Sequence, residues 1–591
     1  MPSPIGSPYA IACALCPIVH KAYVIALAAQ GDGGIIDQAQ RAGPTATENA
    51  GRPAGDRGRA PEIGRSVRDA AFDVMRRLEL TTIFGNPGST EIPFLTGLPP
   101  DIRFVLGLHE GSVVGIAAGY ALARGKPALV NLHTAPGLGN AINAIANARD
   151  MKAPLVVLVG QQDRRQIAYE PFLTGRALER MAGEYPVWSS LPIRAQDVPG
   201  AIARAYNEAV SARGPALVVV PMGDWQEPAD DLAAGWPEHT LRAAAVARDQ
   251  LEELSARLDG ARAPALVVGR NVDGAAGWEA AVALAAKLRC PVWQESFARG
   301  AGFPQDHPQF AGHLPWRRNE MRDALAPHDV VLAVGTNAFR LYLFSDPGPM
   351  VNPGTTVAVL TDDPAEAHRS PCALAVVAPV AEACFALAEE LEARDGELPA
   401  PLQRPPAPAP PGEGEPLGAA HVLAALAQRL PANAVIVEET PSSQPELYRR
   451  LPIRSPDGFL ACGNGGLGFG VAGSIGLRMG NPDRPVVGVV GDGSAMYAIQ
   501  GLWSAAHYHV GVLLLVMANG AYAVMDGLAR AADAPPAWPG FGGIDIAGIA
   551  TSLGCPAVKV ATHEQLMDTF DDVLPGLAGR REPLVVEIAL D

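Results

Sequence analysis

The chain has 591 residues, 48% of them apolar and 18% charged, and a formal net charge of -16 at pH 7. At roughly 100 to 200 residues per domain this length predicts about three cores, and the acidic balance excludes a nucleic-acid partner, which needs clustered Lys and Arg. No apolar run reaches the roughly 18 residues that span a bilayer, "IVHKAYVIALAA" falling short. Seven scattered cysteines, of which only Cys13 and Cys16 are closely spaced, fit neither a zinc site nor a disulfide framework and predict a cytoplasmic protein.

Residues 1–62 carry Gly, Pro, Ala and Arg without lasting periodicity and read as a disordered extension. Regular patterning begins at Ser66. "SVRDAAFDVMRRLEL" has helical apolar spacing, and "TTIFG", "PALVNLH", "PLVVLVG" and "PALVVVPM" recur between helix-like segments. Continuous Val and Leu runs alternating with helices are the pattern of a parallel sheet covered on both faces, which predicts an α/β domain over 63–235. A second set, "PALVVGRNVD", "CPVWQE", "HDVVLAVGT" and "TTVAVLTDDP", predicts another over 245–395. Proline dominates 396–418, a linker, and a third set over 419–591 holds "NAVIVEE", "RPVVGVVGDGS", "GVLLLVMANG" and "PLVVEIAL". The expected fold is three doubly wound parallel-sheet α/β domains, with ligand sites at the carboxyl ends of strands.

The "GDGS" turn, Gly491 to Ser494, ends one apolar run, and Asn519 ends the next, 27 residues beyond Asp492. A strand, a helix and a strand fill that gap, so both oxygen-bearing side chains reach one sheet edge. With a loop carbonyl they make a hard-cation site of the kind Mg²⁺ takes, and the turn's N–H groups suit a diphosphate. A plain tight turn is the alternative for Gly491 and Gly493 taken alone. No G-x-x-x-x-G-K-[ST] occurs, Gly125-Lys126 being followed by Pro127, and the G-x-G-x-x-G at Gly463, Gly465 and Gly468 reads as close helix packing.

These residues resemble the thiamine diphosphate-dependent 2-oxo acid decarboxylase and acetolactate synthase family: the "GDGS" turn with Asn519, and an earlier "HEG" after "VLGL". The resemblance covers about residues 64–589 and implies the order pyrimidine, central and diphosphate domain. It implies that Glu110 holds N1′ of the aminopyrimidine, that Asp492, Asn519 and the Ala521 carbonyl bind the metal, and that Gly491, Gly493, Ser494 and Tyr522 contact the cofactor. "TTIFGNPGSTEIPFL", "NLHTAPGLGNA" and "GGLGFG" look like the benzoylformate decarboxylase branch, which implies substrate and proton-transfer roles for Ser89, His133 and His307, with Leu467 as the wedge that bends the cofactor. Simpler roles compete: Ser89 as a helix cap, Glu110 as a helix-surface residue, His307 as a solvated loop residue.

Departures from the family pattern are Ala518, Ala521, Ala461 and the stretch 523–540. The implied reaction is non-oxidative decarboxylation of a 2-oxo acid, aromatic by the branch resemblance, with an acetolactate synthase-like ligation as the alternative. FAD in the central domain stays open, since "GRNVDGAAGWEAAVALAAKL" serves equally as a ligand loop or a plain strand-to-helix connection. The family also implies a homodimer or homotetramer whose subunits share active sites.

Overall fold

A computed structural model describes residues 64–230, 240 and 245–591. The extension 1–62 and the Cys13 and Cys16 pair lie outside the described residues. Three six-stranded sheets are present and every strand pair is parallel. This is the three-domain α/β class that the alternating patterns predict.

The first sheet holds β1 (Thr82–Gly85), β2 (Arg103–Leu106), β3 (Ala128–Leu132), β4 (Leu155–Gln161), β5 (Trp188–Ser190) and β6 (Pro215–Pro221), in the order 2-1-3-4-6-5. The second holds β7 (Pro264–Val268), β8 (Val292–Gln294), β9 (Phe310–His313), β10 (Val330–Val334), β11 (Thr356–Thr361) and β12 (Leu374–Val377), in the order 12-11-10-7-8-9. The third holds β13 (Val435–Glu439), β14 (Phe459–Ala461), β15 (Val486–Gly491), β16 (Leu513–Ala518), β17 (Ala557–Val560) and β18 (Leu584–Ala589), in the order 14-13-15-16-18-17. The first and third sheets share one topology, and the second has the doubly wound order of nucleotide-binding folds. In each, successive crossovers reverse direction between two central strands: β1 and β3, β7 and β10, β13 and β15. Loops diverge there and leave a crevice at the carboxyl ends.

The helices that matter here are α1 (Val67–Arg77), α2 (Glu110–Arg124), α3 (Thr134–Asp150), α4 (Pro364–His368), α5 (Phe469–Gly480) and α6 (Asp492–Ala495). Ser66 caps α1 by a reciprocal capping box with Asp69. α2 and α5 follow the second strand of their respective sheets and pack against each other backbone to backbone. A methyl group at Gly119 would lie 2.2 Å from the Gly473 carbonyl oxygen, and one at Gly476 would lie 1.9 Å from that of Ile116. The glycine-rich run after Gly468 is thus helix packing, as its spacing predicts. Both helices begin at the same end of this interface, so their N-terminal residues, Glu110 and the Leu467–Gly468 loop, face one region.

Residues 396–418 contain no helix or strand. They are held to the surface by Arg404, which donates to the carbonyls of Gln305, Tyr448 and Arg449, and by Arg450, which donates to Pro406. No helix of the described residues is long and apolar enough to cross a membrane.

Candidate active site

The first crevice lies between β1 and β3. The loop after β1 supplies Asn86, Gly88 and Ser89, and His133 follows β3 as the N-cap of α3. Glu110 opens α2 and is 8% exposed. Its two carboxylate oxygens accept separately from Asn86 Nδ2 at 3.1 Å and Asn140 Nδ2 at 3.0 Å, which fixes the plane of the group. An ordinary helix-surface glutamate would be neither buried nor clamped, so that alternative falls. Glu110 and His133 flank Gly137, whose added methyl group would lie 3.6 Å from Glu110 Cγ and 3.4 Å from His133 Cβ.

His133 is held by two residues that sequence reasoning passed over. Its Nδ1 lies 2.9 Å from Glu91 Oε2 and 3.0 Å from Thr90 Oγ1. Glu91 is 1% exposed and also accepts from the Gly88 N–H at 2.8 Å and from the Thr90 hydroxyl. A carboxylate only accepts, so Nδ1 carries the hydrogen and Nε2 keeps its lone pair for a reacting group. Glycine is required twice around this pair. A methyl group at Gly88 would fall 2.3 Å from the His133 ring, and one at Gly160, near the end of β4, would fall 1.8 Å from Glu91 Oε1. Ser89 is exposed, and its hydroxyl makes no hydrogen bond within the described residues. A capping role therefore has no bond to support it.

α3 carries Asn140, Asn143 and Asn147, at i, i+3 and i+7, along one face. Asn140 clamps Glu110. Asn143 donates to the Leu467 carbonyl at 3.0 Å, and Asn147 donates to that of Gly466. This stripe ties the Gly463–Gly468 loop of the third domain to the first, and its helical spacing was the signal available in the sequence.

In the third crevice, Asp492 opens α6 just beyond β15 and is 6% exposed. Its oxygens accept from the N–H groups of Gly493 at 2.8 Å and Gly520 at 2.7 Å, and the second bond brings the β15 and β16 loops together. Asn519 lies next to Gly520 and accepts from the Ala521 N–H at 3.2 Å. The side chains of Asp492 and Asn519, with the free Ala521 carbonyl, form an oxygen donor set suited to a hard cation. Tyr522 stacks edge-on against Phe541 at 4.8 Å, and both rings cover Gly493, where a methyl group would be 2.8 Å from Tyr522 Cε1.

The other helix N-terminus in this crevice is already filled. Glu439, the last residue of β13, accepts from the N–H groups of Gly468, Phe469 and Gly470 at 2.7, 3.2 and 2.8 Å. Burial pushes its carboxyl up to about 8 against those three bonds. The N–H groups at the start of α5 are therefore already satisfied from within the chain.

One candidate residue stands apart from these clusters. His307 precedes β9, at the amino edge of the second sheet, where its Nδ1 accepts from the Gln309 N–H at 3.2 Å and its ring lies on Phe303. Within one chain it makes no hydrogen bond or ring contact with Glu110, His133 or Asp492 among the described residues. The Glu110 group and the Asp492 group form two separate clusters, with no hydrogen bond joining them among the described residues.

The crevice of the second sheet is crossed by charged side chains. Asn271 donates to Asp362 and Glu366, each at 3.0 Å, Arg299 pairs with Glu366 at 3.3 Å, and Lys152 of the first domain pairs with Asp363 at 2.9 Å and Glu366 at 3.3 Å.

Three family models match: the thiamine pyrophosphate enzyme N-terminal binding domain at residues 65–180, the central domain at 251–387 and the C-terminal binding domain at 442–588. The chain is 39% identical over 531 residues to benzoylformate decarboxylase of Pseudomonas aeruginosa, covering 89% of this chain and 98% of that one. It is 27% identical over 465 residues to the Escherichia coli acetolactate synthase isozyme 1 large subunit, covering 74% and 78%. Among solved structures, the thiamine diphosphate-dependent 4-hydroxybenzoylformate decarboxylase of Rhodococcus jostii RHA1 superposes with a TM-score of 0.85 at 35% identity, covering 89% of this chain and 99% of that one. Benzoylformate decarboxylase of Polynucleobacter necessarius gives 0.84 at 30% identity, covering 89% and 98%. The chain belongs to the thiamine diphosphate-dependent 2-oxo acid decarboxylase family.

Proposed function

We propose that this enzyme decarboxylates an aromatic 2-oxo acid of the benzoylformate type to an aldehyde and CO₂, with thiamine diphosphate held through Mg²⁺. The observation that carries the reading is His133, fixed by Glu91 and Thr90 with Nε2 free, beside the clamped Glu110. The residues present fit the cofactor: a buried carboxylate with fixed oxygens for the aminopyrimidine, and an Asp, an Asn and a backbone carbonyl at one sheet edge for the metal. When bound, thiamine diphosphate supplies the electron sink that decarboxylation of a 2-oxo acid requires.

The chain's own residues do the rest. Glu110 would share a proton with N1′ of the bound cofactor, and Asn86 and Asn140 keep its oxygens aimed. Ser89 donates its unengaged hydroxyl to the substrate carboxylate without a salt bridge that would hold the ground state. His133 moves a proton through Nε2, while its Nδ1 keeps its hydrogen and donates it to Glu91. Asp492, Asn519 and the Ala521 carbonyl would hold the Mg²⁺, Gly491, Gly493 and Ser494 would form the turn around the diphosphate, Tyr522 would cover it, and Leu467 sits on the loop that the α3 asparagines fix.

The separation of the Glu110 and Asp492 clusters supports a homodimer or higher oligomer in which one chain supplies the first and its partner the second. His307 has no part in this reading. FAD is disfavoured, because the crevice of the second sheet holds a network of ion pairs that a dinucleotide would have to displace. Proton transfer by a fixed histidine favours aldehyde release over ligation.

Incubation of the reconstituted protein with benzoylformate, pyruvate and aliphatic 2-oxo acids, with products resolved by NMR, tests the proposal. Benzaldehyde as the main product supports it, and acetolactate from pyruvate as the preferred product overturns it.

A further inference from the structure

At the amino edges of the first and third sheets, away from both crevices, a cavity of about 220 Å³ is lined by Thr82 and Arg103 at the starts of β1 and β2, by Tyr120 of α2 and Arg478 of α5, and by Tyr508, His509, Arg580 and Arg581. Four arginines and a histidine therefore meet at one cavity in a chain of net charge -16.

The neighbouring carboxylates are already committed. Glu582 takes His509 at 2.7 Å, Asp101 takes Arg76 at 2.7 Å, and Glu79 takes Lys126 at 2.8 Å. Asp483 acts on Arg478 at longer range. Arg478 is 3% exposed and donates only to carbonyl oxygens, those of Arg484, Ala578 and Arg580. Helix-end capping accounts for Arg478, but not for the others. Arg103 lies over the Tyr508 ring at 5.1 Å, and neither it, Arg580 nor Arg581 makes an ion pair among the described residues. Burial, and then the charge of Arg581 beside it, hold the Arg478 guanidinium below its ordinary range. Arg103, Arg580 and Arg581, which lack a carboxylate partner among the described residues, keep the empty cavity positive, and an anion would relieve their mutual repulsion.

We propose that this cavity is a binding site for a compact phosphate-class anion, either inorganic phosphate or the phosphate end of a small phosphorylated metabolite. The volume lies below the roughly 300 Å³ at which pockets for drug-sized ligands begin, which favours a small, highly charged group. Guanidinium forks match phosphate oxygens in pairs. The site is separate from the cofactor: Tyr120 is ten residues along α2 from Glu110, about 15 Å at the helical rise.

The test is calorimetric titration of the protein saturated with thiamine diphosphate and Mg²⁺, using inorganic phosphate in one arm and glycerol 3-phosphate in the other. Saturable binding in either arm is expected, and the tighter arm identifies the source. Arg103→Gln and Arg581→Gln should each weaken it about tenfold or more, the effect of losing a bond to a charged group. Both side chains are exposed and free of ion pairs, so folding is preserved, and turnover should match wild type. Arg262→Gln, a change at an exposed arginine elsewhere (side chain 93% exposed), should leave binding unaltered. Absence of saturable binding in both arms overturns the proposal. So does binding that persists in the two cavity variants or falls equally in the control.

Discussion

Gly88→Ala isolates the positioning of His133 from every other function of the site. Gly88 has φ -121° and ψ -166°, an extended conformation open to any residue, so the substitution adds no backbone strain. Its methyl group, however, would stand 2.3 Å from Cγ and Nδ1 of His133, where ordinary contact begins at 3.4 Å. The ring must retreat by 3.4 - 2.3 = 1.1 Å or more. A move of that size takes Nδ1 from 2.9 Å to about 4 Å from Glu91, beyond hydrogen-bond range. Misplacing a catalytic group by about 1 Å costs about 10²-fold in rate. The expected result is a kcat/KM for benzoylformate lowered about 100-fold, with thiamine diphosphate affinity unchanged because Glu110 and Asp492 are untouched. Turnover is read by coupling aldehyde formation to an alcohol dehydrogenase, and cofactor affinity by calorimetry. Gly354→Ala, where an added methyl group meets nothing within 4 Å, is the control. A Gly88→Ala enzyme that turns over within twofold of wild type would refute the role given to His133.

Other expectations rest on different residues. Glu91→Gln removes the anion that fixes the His133 tautomer and should lower kcat about 10- to 100-fold with the cofactor still bound, checked by steady-state kinetics. Asp492→Ala should abolish cofactor retention, and unchanged thiamine diphosphate affinity in calorimetry would contradict the metal assignment. His307→Ala should turn over like wild type, and a loss of two orders in kcat would restore the histidine to the mechanism. Lys152→Met leaves Asp363 and the fully buried Glu366 with only Arg299 and the exposed Arg369 as close cations, and should cost about 3 kcal/mol, read as a lowered melting temperature with unaltered KM.

Twelve strands were named in the sequence by their apolar runs, and they are the interior strands of the three sheets. The six missed, β2, β5, β9, β12, β14 and β17, are the six edge strands. An edge strand has a single neighbour and needs no unbroken apolar run. β5 and β17 consist mostly of partly exposed or exposed residues, and β14, though buried, is three residues long. The site divides in the same way. Asp492, Asn519, Glu110 and His133 stand directly at the ends of readable strands or opening a readable helix. Glu91, Asn140 and Asn147 act through contacts with residues far along the chain, which spacing alone does not pair. His307, on a loop before β9, carries no sign in the sequence of which residues it meets.

The most direct test is exchange of the thiamine diphosphate C2 proton with solvent deuterium on the bound cofactor, followed by NMR after acid quench, in wild type and Glu110→Gln. An amide still reaches N1′, so the variant should keep much of its cofactor affinity, while exchange slows by orders of magnitude. An exchange rate equal to that of wild type, with cofactor bound, would remove Glu110 from the mechanism and contradict the account at its centre.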